Sequence, residues 1–223
     1  MSAVSDCLTT PCLTVQEAKG IAWSLSRPSK MPGHGYSLPA QTCKTGAKLR
    51  KIAGSTCSKC YACKGRYCFP NVQNAMHRRH QSLTDPQWVD AMVTLITASK
   101  DECFRWHDSG DLQGVWHLAN IVRVCEGTPH VRHWLPTREY GTVQAYLDDG
   151  GQIPGNLNIR LSAHFVGKLP PKAVAGCTFS TVSTDNEFGA AAYYCPAAKQ
   201  GNECGTCRAC WDSSVGQVSY LLH

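Results

Sequence analysis

Two short runs of the sequence carry the residue type best suited to holding a metal. Cys57-Ser-Lys-Cys60-Tyr-Ala-Cys63 and Cys204-Gly-Thr-Cys207-Arg-Ala-Cys210 both read C-x2-C-x-Ala-C and lie far apart in the chain. Three thiolates at this pitch let one turn of loop wrap three corners of an iron-sulfur cubane, with the fourth ligand arriving from elsewhere. For the second run Cys195 is the natural fourth ligand, because Pro196 follows it as in the Cys-Pro of bacterial ferredoxin runs. For the first, Cys43 upstream and Cys68 downstream are both candidates. The expected cofactor is therefore one or two 4Fe-4S clusters. Zinc is the alternative, although structural zinc sites usually draw two C-x2-C knuckles from separate segments rather than a triad from one loop.

A second group of candidates falls where strands are expected to end. In Trp106-His107-Asp108-Ser109-Gly110-Asp111 two carboxylates, an imidazole and a glycine turn follow a predicted strand and precede a predicted helix. Ligands of α/β folds bind at that carboxyl edge. Asp108 and Asp111 are accordingly candidate catalytic or substrate-positioning groups, against the plainer reading of a helix-entry turn capped by Asp111. Pro136-Thr137-Arg138 ends the next strand, where Arg138 could clamp an anion, and Arg160 and His164 flank the one after.

The elements that must position these groups can be read from periodicity and punctuation. Thr14-x-x-Glu17 has capping-box spacing and predicts a helix to about Leu25. Helices are predicted over roughly Val72–Leu83 and Pro86–Ser99, the latter capped by Asp85. Strands at Cys103–His107, Val131–Leu135, Asn158–Ser162 and Cys177–Val182 then alternate with helices at Val115–Cys125 and Arg138–Leu147, which implies a parallel sheet with right-handed crossovers. The units are too few for an eight-stranded barrel. The expected fold is α/β, a partial parallel (β/α) barrel or an open sheet, with cysteine-rich loops near both ends of the chain. Residues 1–35 read as an N-terminal helix and linker, and 36–223 as one domain: a cluster loop over 43–68, β/α units over 72–182 and a C-terminal cysteine set over 195–210.

The 223 residues, 43% hydrophobic and 17% charged, suffice for a real core and exclude a disordered chain. The 14 cysteines are thus not needed as staples. Met1–Asp6 lacks the basic start and apolar run of a secretory signal, and no stretch nears the roughly 18–20 apolar residues of a membrane span. A cytosolic protein with no membrane partner is expected, where disulfides are disfavoured. The net charge of +6 hides an asymmetry: residues 18–84 hold twelve Lys and Arg and no acid. That segment is expected to meet a polyanion, a nucleic acid or nucleotide. No P-loop, dinucleotide fingerprint, H-E-x-x-H or G-x-S-x-G occurs, which removes simple NTPase, dehydrogenase, zinc protease and serine hydrolase readings.

Taken in order, Gly54-Ser-Thr-Cys57-Ser-Lys-Cys60-Tyr-Ala, Phe104-Arg-Trp-His-Asp-Ser-Gly-Asp-Leu-Gln113, Leu135-Pro-Thr-Arg138, Cys195-Pro-Ala and Cys204-Gly-Thr-Cys207-Arg-Ala-Cys210-Trp211 resemble the phage gene-product-eighty-eight domain family, from about Tyr36 onward. The resemblance implies a phage-type protein in the cytosol of a host cell, with a host protein as a further candidate partner, and it brings no activity. A looser likeness is to radical S-adenosylmethionine enzymes, in which an early triad usually reads C-x3-C-x2-C rather than C-x2-C-x2-C. It implies S-adenosylmethionine as a candidate cofactor and Ser109, Gly110 and Thr137 as candidate cofactor contacts. The leading expectation is an iron-sulfur, redox or radical-type enzyme acting on an anionic, nucleotide-like substrate. The alternative is a zinc- or cluster-stabilised module that binds nucleic acid or a host protein.

Overall fold

The computed structural model describes residues 13–185 and 188–222, so Cys7 and Cys12 lie outside the described residues. Seven strands, β1 (Gly35–Tyr36), β2 (Cys103–Trp106), β3 (Arg132–Thr137), β4 (Leu157–Ser162), β5 (Thr178–Ser183), β6 (Tyr193–Tyr194) and β7 (Gln217–Leu221), form one sheet in the order β1-β2-β3-β4-β5-β7-β6. Every neighbouring pair is parallel. Six helices accompany them: α1 (Val15–Ala22), α2 (Lys44–Leu49), α3 (Pro70–Ser82), α4 (Trp88–Ser99), α5 (Val115–Gly127) and α6 (Tyr140–Asp148). The sheet is open and does not close into a barrel. Closure would pair β1 with β6, and each of these edges is only two residues long.

Side chains alternate across a strand, so each strand feeds two different environments. Phe104, Trp106, Leu135, Ile159 and Leu161 point to the face covered by α1, α4, α5 and α6, where Ala18, Trp88, Met92, Leu118 and Val143 complete the main core. Cys103, Trp134 and Val218 point the other way and meet Ala209, Cys210 and Trp211 of the C-terminal loop. That second face also carries Asn158 and Arg160, both buried. The cysteine loop over 204–215 thus covers a face that no crossover helix reaches.

The local signals act much as expected. Thr14 accepts the Glu17 amide at 3.2 Å while Glu17 accepts the Thr14 amide at 2.8 Å, a complete capping box. Helix α1 stops at Ala22, short of Leu25, because Trp23 takes a left-handed φ of 63°. Asp85 bonds the Gln87 amide at 2.9 Å and so shapes the turn before α4 rather than its first residue. Ala18 and Ala22 are fully buried, so α1 belongs to the main core, and the expected boundary at residue 35 falls inside β1.

Candidate functional site

The second cysteine set is built by β6, β7 and the loop between them. Pairing with β7 fixes Cys195, whose amide donates to the Ser219 carbonyl at 2.8 Å. Cys195, Cys204, Cys207 and Cys210 together line a pocket of about 230 Å3 of atom-free space, closed by Pro196, Ala197, Ala209 and Trp211. The floor of the loop is polar and tightly bonded. Asn158 donates to the Cys210 carbonyl at 2.9 Å, and the fully buried Arg160 guanidinium donates to the carbonyls of Phe179 (2.9 Å), Val215 (3.0 Å), Ala209 (3.1 Å) and Asp212 (3.3 Å). Tyr193 and Tyr220 hydroxyls sit 3.2 Å and 3.1 Å from the sulfurs of Cys207 and Cys210. Burial pushes the Cys195 and Cys204 thiols up, and that of Cys210 to about 12.

The first set lies at the carboxyl end of the sheet. Cys43 sits at the N-terminus of α2, and a Cβ added to Gly46 would lie 3.5 Å from the Cys57 sulfur and 3.7 Å from that of Cys43, so the bare glycine lets both sulfurs share one space. Tight turns link the triad: Cys60 N–H donates to the Cys57 carbonyl at 3.1 Å and Cys63 N–H to that of Cys60 at 3.2 Å. Burial raises the Cys57 thiol and the nearby Arg138 guanidinium opposes it. The Cys43 thiol is likewise raised by burial, with Asp111, Cys60 and Cys57 adding to the effect. Cys68 is exposed and lies beside Cys63. The sequence left Cys43 and Cys68 as equals; the structure puts the sulfurs of Cys43 and Cys57 beside one space, while Cys68 adjoins Cys63. Among the described residues, no three His, Cys, Asp or Glu side chains are close enough to hold one metal ion.

The strand-end residues are gathered but mostly occupied with one another. Asp111 is buried and accepts Thr137 Oγ1 at 2.6 Å, Leu112 N–H at 2.8 Å and Arg138 N–H at 2.9 Å, tying the end of β2 to the end of β3. Burial pushes its carboxyl up to about 6. It does not cap α5, which starts at Val115 behind Gly114 with no side-chain cap. The Asp108 carboxylate accepts the hydroxyls of Ser37 and Tyr67, the latter at 2.7 Å, and its backbone carbonyl accepts the Tyr61 hydroxyl. Residues 36–38 close over this turn, with Leu38 N–H on the Ser109 carbonyl at 2.8 Å. Ser109 is buried there. Gly110, at φ 87°, is needed for that approach, since a Cβ would lie 2.5 Å from Leu38 Cβ. Ser109 and Thr137 are therefore buried inside the protein, and Gly110 is half-buried against Leu38.

Arg138 differs from these. Its Nη2 and Nε reach Thr56 Oγ1 at 2.9 Å and 3.2 Å, and the side chain lines an open cleft of about 540 Å3 of atom-free space with Thr45, Tyr140, His164 and Lys172. The four nominated polar groups thus divide: Asp111 and Arg138 adjoin the first thiol set, Asp108 joins its tyrosines, and Arg160 underpins the second set.

The sequence reading missed Arg105. Its guanidinium lies 4.4 Å over the Trp134 ring and donates to Tyr61 Oη at 3.3 Å, while its charge also reaches Cys204 and Cys210. It bridges the two cysteine loops. The signal was its alternate position in β2, which shares a face with Cys103.

Fold and site define a class: an open, all-parallel α/β protein with one cysteine loop at the carboxyl edge of its sheet and another across its free face. The chain belongs to the gene product 88 family, whose sequence model matches residues 6–213. No curated protein and no solved structure matches the chain. No helix among the described residues is long and apolar enough to cross a membrane.

Proposed function

We propose that this chain is an iron-sulfur protein with two cluster sites, Cys43, Cys57, Cys60 and Cys63 at one and Cys195, Cys204, Cys207 and Cys210 at the other. The observation that carries the reading is the second pocket: four cysteines from two segments line one apolar space whose lining has no carboxylate and no imidazole. The donor set is soft throughout, which suits iron-sulfur chemistry. A single zinc ion would require the loop to contract around it, because no three donors are close enough to share one ion among the described residues. A cluster bound there supplies one-electron chemistry.

The chain's own residues supply the rest. Trp211, Ala197 and Ala209 give the second pocket an apolar wall, and Tyr193 and Tyr220 offer hydroxyl donors to two of its sulfurs. At the carboxyl edge, Asp111 holds the Arg138 backbone and so aims its guanidinium beside Cys57. We read the protein as a redox or radical-type enzyme whose substrate is anionic, a nucleic acid or nucleotide-like molecule, on the strength of Arg138 and the acid-free segment 18–84. S-adenosylmethionine is the cofactor to test first.

Anaerobic purification followed by iron, zinc and acid-labile sulfide analysis decides the metal. A brown protein absorbing near ~400 nm and bleaching on reduction is expected. A colourless protein with stoichiometric zinc would overturn the reading in favour of a metal-stabilised binding module. With iron present, failure of the reduced protein to cleave S-adenosylmethionine to 5′-deoxyadenosine would remove the radical mechanism.

A further inference from the structure

We infer that the cleft at the carboxyl ends of β3 and β4 is a binding site for the oxyanion of a small molecule, a carboxylate or a phosphate, held by Arg138, Lys172 and His164 within reach of the first thiol set. The argument starts from charges left without partners. Among the described residues neither Arg138 nor Lys172 forms an ion pair, and the nearest carboxylate in sequence, Glu139, spends both oxygens on Thr45, at 2.7 Å to its amide and 2.9 Å to its hydroxyl. Thr56 takes two of the Arg138 N–H groups through one oxygen, which fixes the plane of the guanidinium and leaves Nη1 without a hydrogen-bond partner among the described residues. A planar guanidinium so fixed matches a carboxylate or phosphate edge.

The third group is an imidazole with an unused nitrogen. His164 Nε2 is buried with no hydrogen-bond partner, and the ring stands edge-on to Tyr140 at 5.1 Å and 82°. Tyr140 is itself anchored by its hydroxyl on the Ser162 carbonyl at 2.9 Å. An unpaired buried polar nitrogen is costly unless something is meant to meet it. Two cationic side chains and a neutral donor therefore line one cleft of about 540 Å3, at the strand edge where α/β proteins take ligands. Thr56 adjoins Cys57 in sequence and Thr45 lies two residues from Cys43, so a ligand seated on Arg138 meets the first thiol set. That last clause rests on the cluster reading; the cleft does not.

Equilibrium dialysis of the anaerobically purified full chain against labelled inorganic phosphate and labelled acetate, at ionic strength fixed with sodium chloride, tests the site. About one anion per chain is expected to bind, and the tighter of the two probes tells phosphate from carboxylate. Arg138→Met should weaken binding by about tenfold or more, as loss of a charged hydrogen bond does. Lys172→Met, on an exposed residue that folding does not need, should weaken it by several-fold. Binding that never saturates, or that both variants leave unchanged, overturns the proposal. Iron analysis of the same samples separates the two readings. Saturable anion binding without iron retains the cleft and removes the cluster, and iron without anion binding does the reverse.

Discussion

Replacing Arg160 by methionine should loosen the C-terminal cysteine loop while leaving the carboxyl edge of the sheet intact. The guanidinium is fully buried and donates to four backbone carbonyls, three of them in the segment 209–215 that carries or follows Cys210. Ala209 O also receives the Asp212 amide at 3.4 Å, and Asp212 O also receives Asn158 Nδ2 at 3.3 Å, so these two keep a donor in the variant. Losing bonds from a charged donor and stranding the others costs about 1–3 kcal/mol each, while relief of the buried charge offsets part of it. The net loss should be about 3 kcal/mol, a fall in Tm of about 6–12 °C for a chain of this size. Denaturant and thermal unfolding measure it, and on the two-cluster proposal metal analysis adds a second reading: iron per chain should fall by about half, because only the second set loses its floor. Arg160→Lys should not rescue, since an ammonium has three donors and no fork. A variant that melts within a degree of the parent with its metal complement intact would refute this account of Arg160.

Three more outcomes follow from the geometry. Cys43→Ser should strip metal from the first set and Cys68→Ser should not, as read by metal stoichiometry of the purified variants; equal losses would return Cys68 to the ligand set. Burial holds the imidazoles of His107 and His133 at about 3, well below 6.5, so the stability each contributes is complete above pH 6.5 and is lost as the pH falls from there toward 3. Between pH 7 and pH 5 each should cost about 2 kcal/mol, seen as a lower urea midpoint, and a midpoint constant over that range would sink the argument. Gly110→Ala should destabilise by about 2–4 kcal/mol through its positive φ and the collision with Leu38, and an unchanged unfolding curve would show that residues 36–38 yield freely.

The parallel sheet was legible because its four central strands are four to six residues long and alternate with helices that have the right period. The strands β1, β6 and β7 were not: two residues carry no pattern in Gly35–Tyr36 and Tyr193–Tyr194, and Gln217–Leu221 follows a cysteine loop rather than a helix, so only long-range pairing reveals all three. Cysteine spacing nominated both thiol sets, since a triad within seven residues is a local signal. The proposed preference for Cys43 over Cys68 was not local: it rests on Gly46, whose missing side chain opens the space that Cys43 and Cys57 share. The strand-end motif marked where the ends of β2 and β3 meet, but not what its side chains bond. The oxygens of Asp108 and Asp111 accept Ser37, Tyr67, Thr137 and the Arg138 amide, partners that lie far away in sequence. Arg160 was nominated and Arg105 overlooked, and only the fold shows one bonded to carbonyls and the other lying on Trp134.

The strand order bears on how the protein is made. Along most of the sheet each strand finds its neighbour already in place, so pairing can follow synthesis from β1 to β5. The last two strands break that rule: β7 inserts between β5 and β6, and β6 pairs with nothing else among the described residues. Tyr193, Tyr194 and Cys195 therefore have no partner until residues 217–221 have left the ribosome and threaded into the gap. Until then four thiols sit on an unpinned loop, open to oxidation or to mispairing with the first triad. Assembly of this thiol pocket should be the final step of folding, and chains interrupted before Gln217 should have only the first thiol set in place.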